Sequence, residues 1–171
     1  MTRLSAHGLG ADVPRGWDAA VYRRGGDPLA KIVTAVDKAG NPLDANGGRA
    51  LYYPPILHLA TFPLPAVRGD FGGGAHDTMR TRDLFVCLLE FDPATASAPL
   101  FAAEGAPWPL RPDDFSPSAM RVPINNQAGC QRFFRVDGRA FTLYAVIGSH
   151  SLRRVLVPRV NEALRGVHLS S

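Results

Sequence analysis

Cys130, His150 and Asp137 are of the three types that nucleophilic catalysis combines: a thiol, an imidazole to take its proton and a carboxylate to orient the imidazole. The three would have to meet across one hairpin. Cys130 lies in an apolar run, where packing as a small hydrophobe is the simpler role. Cys87 sits in a similar run, so two buried, reduced thiols are expected rather than a disulfide. The histidines at positions 7, 58, 76, 150 and 168 show no HxH or HxxxH spacing and no CxxC accompanies them, so no zinc motif is present and no metal or cofactor is expected. The glycine-rich run from Gly69 to Gly74 invites comparison with loops that cradle phosphate at a helix start. It lacks the Gly-Lys-Ser/Thr ending and the GxGxxG pattern, and Asp70 would repel the anion.

Two carboxylate features remain. Asp113 and Asp114 lie among prolines and read first as a turn or helix cap beside Ser116 and Pro117. Glu90 ends an otherwise apolar strand, where burial opposes ionisation and a neighbouring arginine would hold the charge. An ion pair at the sheet end is the expected arrangement.

The charged residues point toward binding. Of 19 basic residues, all but Lys31 and Lys38 are arginine, against 15 acidic ones, for a net charge of +4. Arginine forks recognise carboxylates and phosphates, although GC-rich codon usage gives the same bias. The basic residues are spread along the chain, not gathered into a stripe, which argues against nucleic acid as partner. Arg132, Arg135 and Arg139 flank one turn, and Arg153 and Arg154 follow soon after. Together with Trp108 they form the candidate surface for a protein partner with an acidic face.

What must position these groups is a predominantly extended chain of one domain. At 46% hydrophobic, 171 residues suffice for a sizeable core. Phe133 to Gly148 predicts a β-hairpin folded at Asp137-Gly138, a pair that tolerates the positive φ of a type I′ turn. Leu84 to Phe91 has no polar face before Glu90 and predicts a buried strand, and Ile56 to Phe62 predicts a central strand ended by Pro63. Leu4 to Val13 reads as one half-buried strand. Pro14-Arg15-Gly16 then turns the chain, and the segment from Trp17 returns as the second arm of a hairpin. Asp70 would cap a helix from Phe71 to about Arg80, weakened by three glycines that cost about 1 kcal/mol each. Ser149 or Ser151 would cap a second helix with apolar positions Leu152, Val155, Leu156, Val160, Ala163 and Leu164. Pro158 predicts a kink or fresh start there, Gly166 a stop, and Val167 to Leu169 a final strand. Residues 25–55 read as an insertion holding one strand in the Lys31–Val36 run. Residues 92–127, rich in proline, read as a long ordered loop that either covers the sheet edge or binds a partner. No apolar run reaches the length of a secretory signal or a membrane span, so a cytoplasmic location with no membrane partner is expected.

The order of these elements, with the Pro14-Arg15-Gly16-Trp17 turn and the closing helix and Val167-His168-Leu169 strand, resembles the PsbP-like superfamily. That superfamily includes the extrinsic photosystem subunit, Ran-binding proteins and bacterial lipoproteins. The resemblance implies an α+β fold: an antiparallel sheet of six or seven strands between helices, serving as a binding or assembly module without a shared catalytic site. No functional residues carry over from it. The expected function is therefore a non-enzymatic protein-binding module. A small hydrolase or transferase using Cys130 or the loop carboxylates, and a domain holding a small molecule between sheet and helix, are the alternatives.

Overall fold

The computed structural model describes residues 2–23, 35–36, 42–43, 54–72 and 74–170. The chain is an α+β protein whose paired strands all run antiparallel. In chain order the strands are β1 (Thr2–Ala6), β2 (Leu9–Val13), β3 (Asp18–Arg23), β4 (Ala35–Val36), β5 (Pro42–Leu43), β6 (Pro55–Ala60), β7 (Leu84–Glu90), β8 (Ala128–Val136) and β9 (Arg139–Ile147). The helix α1 (Arg153–Arg165) and β10 (Val167–Leu169) close the chain. Five strands form the main sheet in the order β3-β6-β7-β9-β8, and β1-β2-β10 form a second sheet. β4 and β5 make a separate two-stranded ladder, and the remainder of the predicted 25–55 insertion lies outside the described residues. The expected single sheet between helices is thus divided five and three, with one α-helix among the described residues.

Periodicity explains the best-formed parts. β6 and β7 are buried at every position, as strands without a polar face must be when both sides of the sheet are covered. β8 and β9 fold back at Asp137 (φ 50°) and Gly138 (φ 73°), the paired positive φ values of a type I′ turn. One core fills the face where Leu57, Leu88, Leu143 and Phe141 meet Leu156, Val157, Val160 and Leu164 of α1 and Leu9, Ala11 and Val13 of β2. A second lies on the opposite face around Ile56, Phe85, Cys87 and Tyr144, beneath the segment from Leu64 to Ala75 and Met120.

Several expectations are corrected. Leu4–Val13 is two strands, because His7 (φ 55°) and Gly8 (φ 77°) make a tight turn inside it. The Pro14–Trp17 turn forms, with Trp17 N–H bonded to the Pro14 carbonyl at 3.2 Å. The segment after it does not return along β2; β3 crosses to the other sheet and pairs with β6. The helix predicted from Phe71 shrinks to a single 3-10 turn, Ala75–Thr78, since Gly72 and Gly74 adopt positive φ. Neither serine caps α1: the hydroxyls of Ser149 and Ser151 bond each other at 2.9 Å, and Leu152 occupies the cap position without a side-chain bond. α1 runs through Pro158, which is exposed, so the Arg154 carbonyl that loses its partner faces water. Gly166 ends it as expected, but for closeness: a Cβ there would stand 2.6 Å from the Asp12 carbonyl oxygen.

The loop after β7 has the form the sequence suggests, four 3-10 turns joined by irregular chain. It closes the open edge of β8. Arg135 exchanges backbone bonds with Ala103 and Gly105, and Gly129 exchanges two with Ser116, which removes an exposed strand edge. Asn161 of α1 fastens the loop by bonding both the N–H and the carbonyl of Leu110, at 2.7 and 2.8 Å.

Candidate functional site

The arginines predicted to meet a partner are largely committed inside the molecule. Arg139 forks onto buried Glu90 with two bonds of 2.8 Å and also donates to the carbonyls of Gly8 and Ser170. Arg135 pairs with Glu104 at 2.7 Å, Arg132 with Asp114 at 2.8 Å, and Arg153 lies 3.8 Å from Asp113. Asp113 and Asp114 therefore tie the loop to β8 and α1. Trp108 is half-buried with its ring edge-on to Phe134 at 5.9 Å, so it packs the loop onto the sheet. Arg154 alone of the predicted set is exposed without an acidic partner among the described residues.

Arg154 belongs to the outer face of α1, with Val155, Pro158, Arg159, Glu162 and Arg165, all exposed. Val155 is 59% exposed, an apolar spot within a mainly basic surface. Arg159 donates to the Arg82 carbonyl at 3.5 Å, which seats the Arg80–Arg82 turn beside the helix. Arg80 and Arg82 are exposed too, while the acid nearest them in sequence, Asp83, is turned inward to the Arg80 N–H and the Thr61 hydroxyl. Arginines thus gather where sequence distance hid them: Arg82 and Arg159 are joined only by the fold.

The groups with catalytic character are kept apart. Asp137 lies at the tip of the β8–β9 hairpin and His150 beyond its other end, so Asp137 and Cys130 are separated by about 20 Å of strand. The suggested triad does not assemble. Cys130 is fully buried, and burial pushes its thiol up to about 11, far from a thiolate.

A polar row invisible in the sequence crosses the second face of the main sheet. His58, Cys87, Tyr144 and Gln131 stand side by side on β6, β7, β9 and β8. His58 Nε2 donates to the Asp70 carbonyl at 2.9 Å and Cys87 Sγ to the same oxygen at 3.0 Å; Tyr22 donates to the neighbouring Gly69 carbonyl. Burial lowers the His58 pKa to about 4, so its imidazole is neutral. These side chains latch the Gly69–Thr78 segment to the sheet. Gln127 adds a bond of 2.7 Å to the His76 carbonyl. At the edge of that segment a cleft of about 360 Å³ opens between Phe71, His76, Arg121, Val122 and Tyr144, with Arg121 4.5 Å above the Phe71 ring.

Comparison with protein-family models, with curated proteins and with solved structures found no match.

Proposed function

We propose that this chain is a non-enzymatic protein-binding module whose contact surface is the outer face of α1 together with the Arg80–Arg82 turn. The observation that carries the reading is the Arg159–Arg82 contact: the Arg159 guanidinium bonds the Arg82 carbonyl, which sets a helix face bearing Arg154, Arg159 and Arg165, with Glu162 its single acid, beside the exposed Arg80 and Arg82. Such a surface attracts a carboxylate-bearing partner and speeds its encounter at low salt. Burial of Cys87, Cys130 and His58 supports binding over a thiol-dependent reaction. The Pro14–Trp17 turn and the closing helix and strand support kinship with PsbP-like binding modules, whose sandwich would require a further helical layer over the Ile56–Tyr144 face.

The test uses a fluorescent polyglutamate peptide as probe. Wild-type protein binds it with an affinity that falls with added salt. The double variant Arg82→Glu/Arg159→Glu loses binding about tenfold or more, whereas Arg132→Glu, whose native charge is already paired, changes it little. Equal loss in both variants would contradict the assignment of the surface. The 360 Å³ cleft favours a second reading, a small-molecule site, because its volume and its mix of aromatic and polar walls suit a small ligand.

A further inference from the structure

The cleft beside Phe71 and Tyr144 carries two charges of opposite sign that do not pair with each other. Arg121 is exposed, and its guanidinium lies 4.5 Å above the Phe71 ring with no acidic partner among the described residues. Its backbone N–H bonds the Tyr144 hydroxyl at 3.4 Å, which holds this part of the loop against the cleft. Stacking on the ring engages the flat face of the guanidinium and leaves its N–H edge open to a carboxylate. Asp77, on the 3-10 turn that forms another wall, is exposed, and no basic side chain among the described residues pairs with it. Its carboxylate stands beside Gly74, 3.7 Å from the place a Cβ there would occupy, and Gly74 also lines the cleft.

These signs select the ligand. Asp70 lines the cleft together with Asp77, so two carboxylates oppose a simple anion, while Arg121 opposes a simple cation. His76 adds no charge at neutral pH, because burial lowers its pKa. A molecule bearing one charge of each sign satisfies both Arg121 and Asp77. Much of the remaining wall is apolar. The Phe71 and Tyr144 rings meet edge-on at 5.5 Å and those of His76 and Tyr144 at 6.0 Å, with Met120 and Ile124 beside them, a surface that accepts a further ring or a branched aliphatic group. At about 360 Å³ the cleft stands near the lower end of the roughly 300–1,000 Å³ range of ligand sites, which suits one amino acid better than a peptide.

Resting on the reading of this cleft as a small-molecule site, we propose that its ligand is a free α-amino acid with a large apolar side chain. The carboxylate bonds the Arg121 guanidinium, the ammonium pairs with Asp77, and the side chain packs against Phe71 and Tyr144. Bound in this way, the amino acid bridges the 3-10 turn and the loop that carries Arg121, two segments that the sequence separates by more than 40 residues. The site is distinct from the α1 face and stands or falls independently of it.

The probes are L-phenylalanine, 3-phenylpropanoate, which lacks the ammonium, and 2-phenylethylamine, which lacks the carboxylate, each titrated into isotope-labelled protein and followed by NMR. Wild-type protein binds L-phenylalanine at least tenfold more tightly than either analogue, with shift changes at Phe71, His76 and Tyr144, and binds L-alanine at least tenfold more weakly. Arg121→Gln weakens L-phenylalanine about tenfold and leaves 2-phenylethylamine within a factor of three. Asp77→Asn weakens L-phenylalanine about as much and leaves 3-phenylpropanoate within the same factor. Both side chains are exposed, so neither variant disturbs the core. An analogue that binds wild-type protein as well as L-phenylalanine does, or a panel of aromatic and aliphatic fragments that shifts Phe71, His76 and Tyr144 where L-phenylalanine shifts none of them, would overturn the amino-acid assignment alone. If neither the probes nor the fragments perturb those residues at tens of millimolar, the small-molecule reading falls with it.

Discussion

Glu90 and Arg139 meet in a two-bond fork, 2.8 Å on each arm, at the end of β7 where the carboxylate is almost wholly buried. Because the same guanidinium also reaches the carbonyls of Gly8 and Ser170, one side chain joins the main sheet to the turn of β1–β2 and the strand end of β10. Arg139→Met leaves Glu90 buried without its counter-charge, a loss of about 3–5 kcal/mol. Glu90→Gln/Arg139→Met, with no buried charge, is more stable than Arg139→Met alone. Urea denaturation of the three proteins checks both statements.

His58 makes stability depend on pH. Its folded pKa of about 4 lies below the usual 6.5, so between these values the unfolded chain binds the extra proton. The contribution is full above pH 6.5, declines as pH falls and is gone below about 4, amounting to about 3 kcal/mol. In His58→Gln, which keeps a donor for the Asp70 carbonyl, the fall in unfolding free energy from pH 7 to 4 is smaller by about that amount. Equal pH slopes in both proteins would rule the mechanism out.

Two glycines should respond to alanine for different reasons. A Cβ on Gly148 would lie 1.9 Å from the Arg80 carbonyl oxygen, which only backbone movement relieves. Gly148→Ala therefore costs at least the ~3 kcal/mol upper range of core overpacking. Gly16 has open space around it and φ of 83°, so Gly16→Ala costs about 1–2 kcal/mol of left-handed strain. Thermal denaturation ranks them in that order.

Both thiols are shielded. Cys130 stays protonated at neutral pH, and Cys87 is buried with its hydrogen directed to the Asp70 carbonyl. A disulfide-exchange reagent reacts with neither in the folded protein at pH 8 and with both in denaturant. Fast labelling of Cys130 in the native state would contradict its burial.

Strong local patterns made β6, β7 and the Asp137-Gly138 hairpin legible in the sequence, because unbroken apolar runs and a turn dipeptide need no tertiary information. The His7-Gly8 turn was hidden by an alternation of apolar residues that continues across it. β3 pairs with β6 and not with β2 because pairing after a proline turn depends on which sheet offers an open edge, not on the turn. Gly72 and Gly74 break the helix expected from Phe71, since positive φ at both suits loop geometry. The candidate surface was harder still. Arg132, Arg135, Arg139 and Arg153 find acids up to 49 residues away, and Arg82 and Arg159 become neighbours only through folding. The His58–Cys87–Tyr144–Gln131 row likewise depends on strand register, which no spacing in the chain encodes.

The most direct test of the account is an NMR titration of isotope-labelled protein with the polyglutamate peptide at low salt. The binding-module reading predicts chemical-shift changes concentrated at Arg82 and along Arg154 to Arg165, reversed by added salt. Changes confined to Phe71, His76 and Tyr144, or none at saturating peptide, would contradict it.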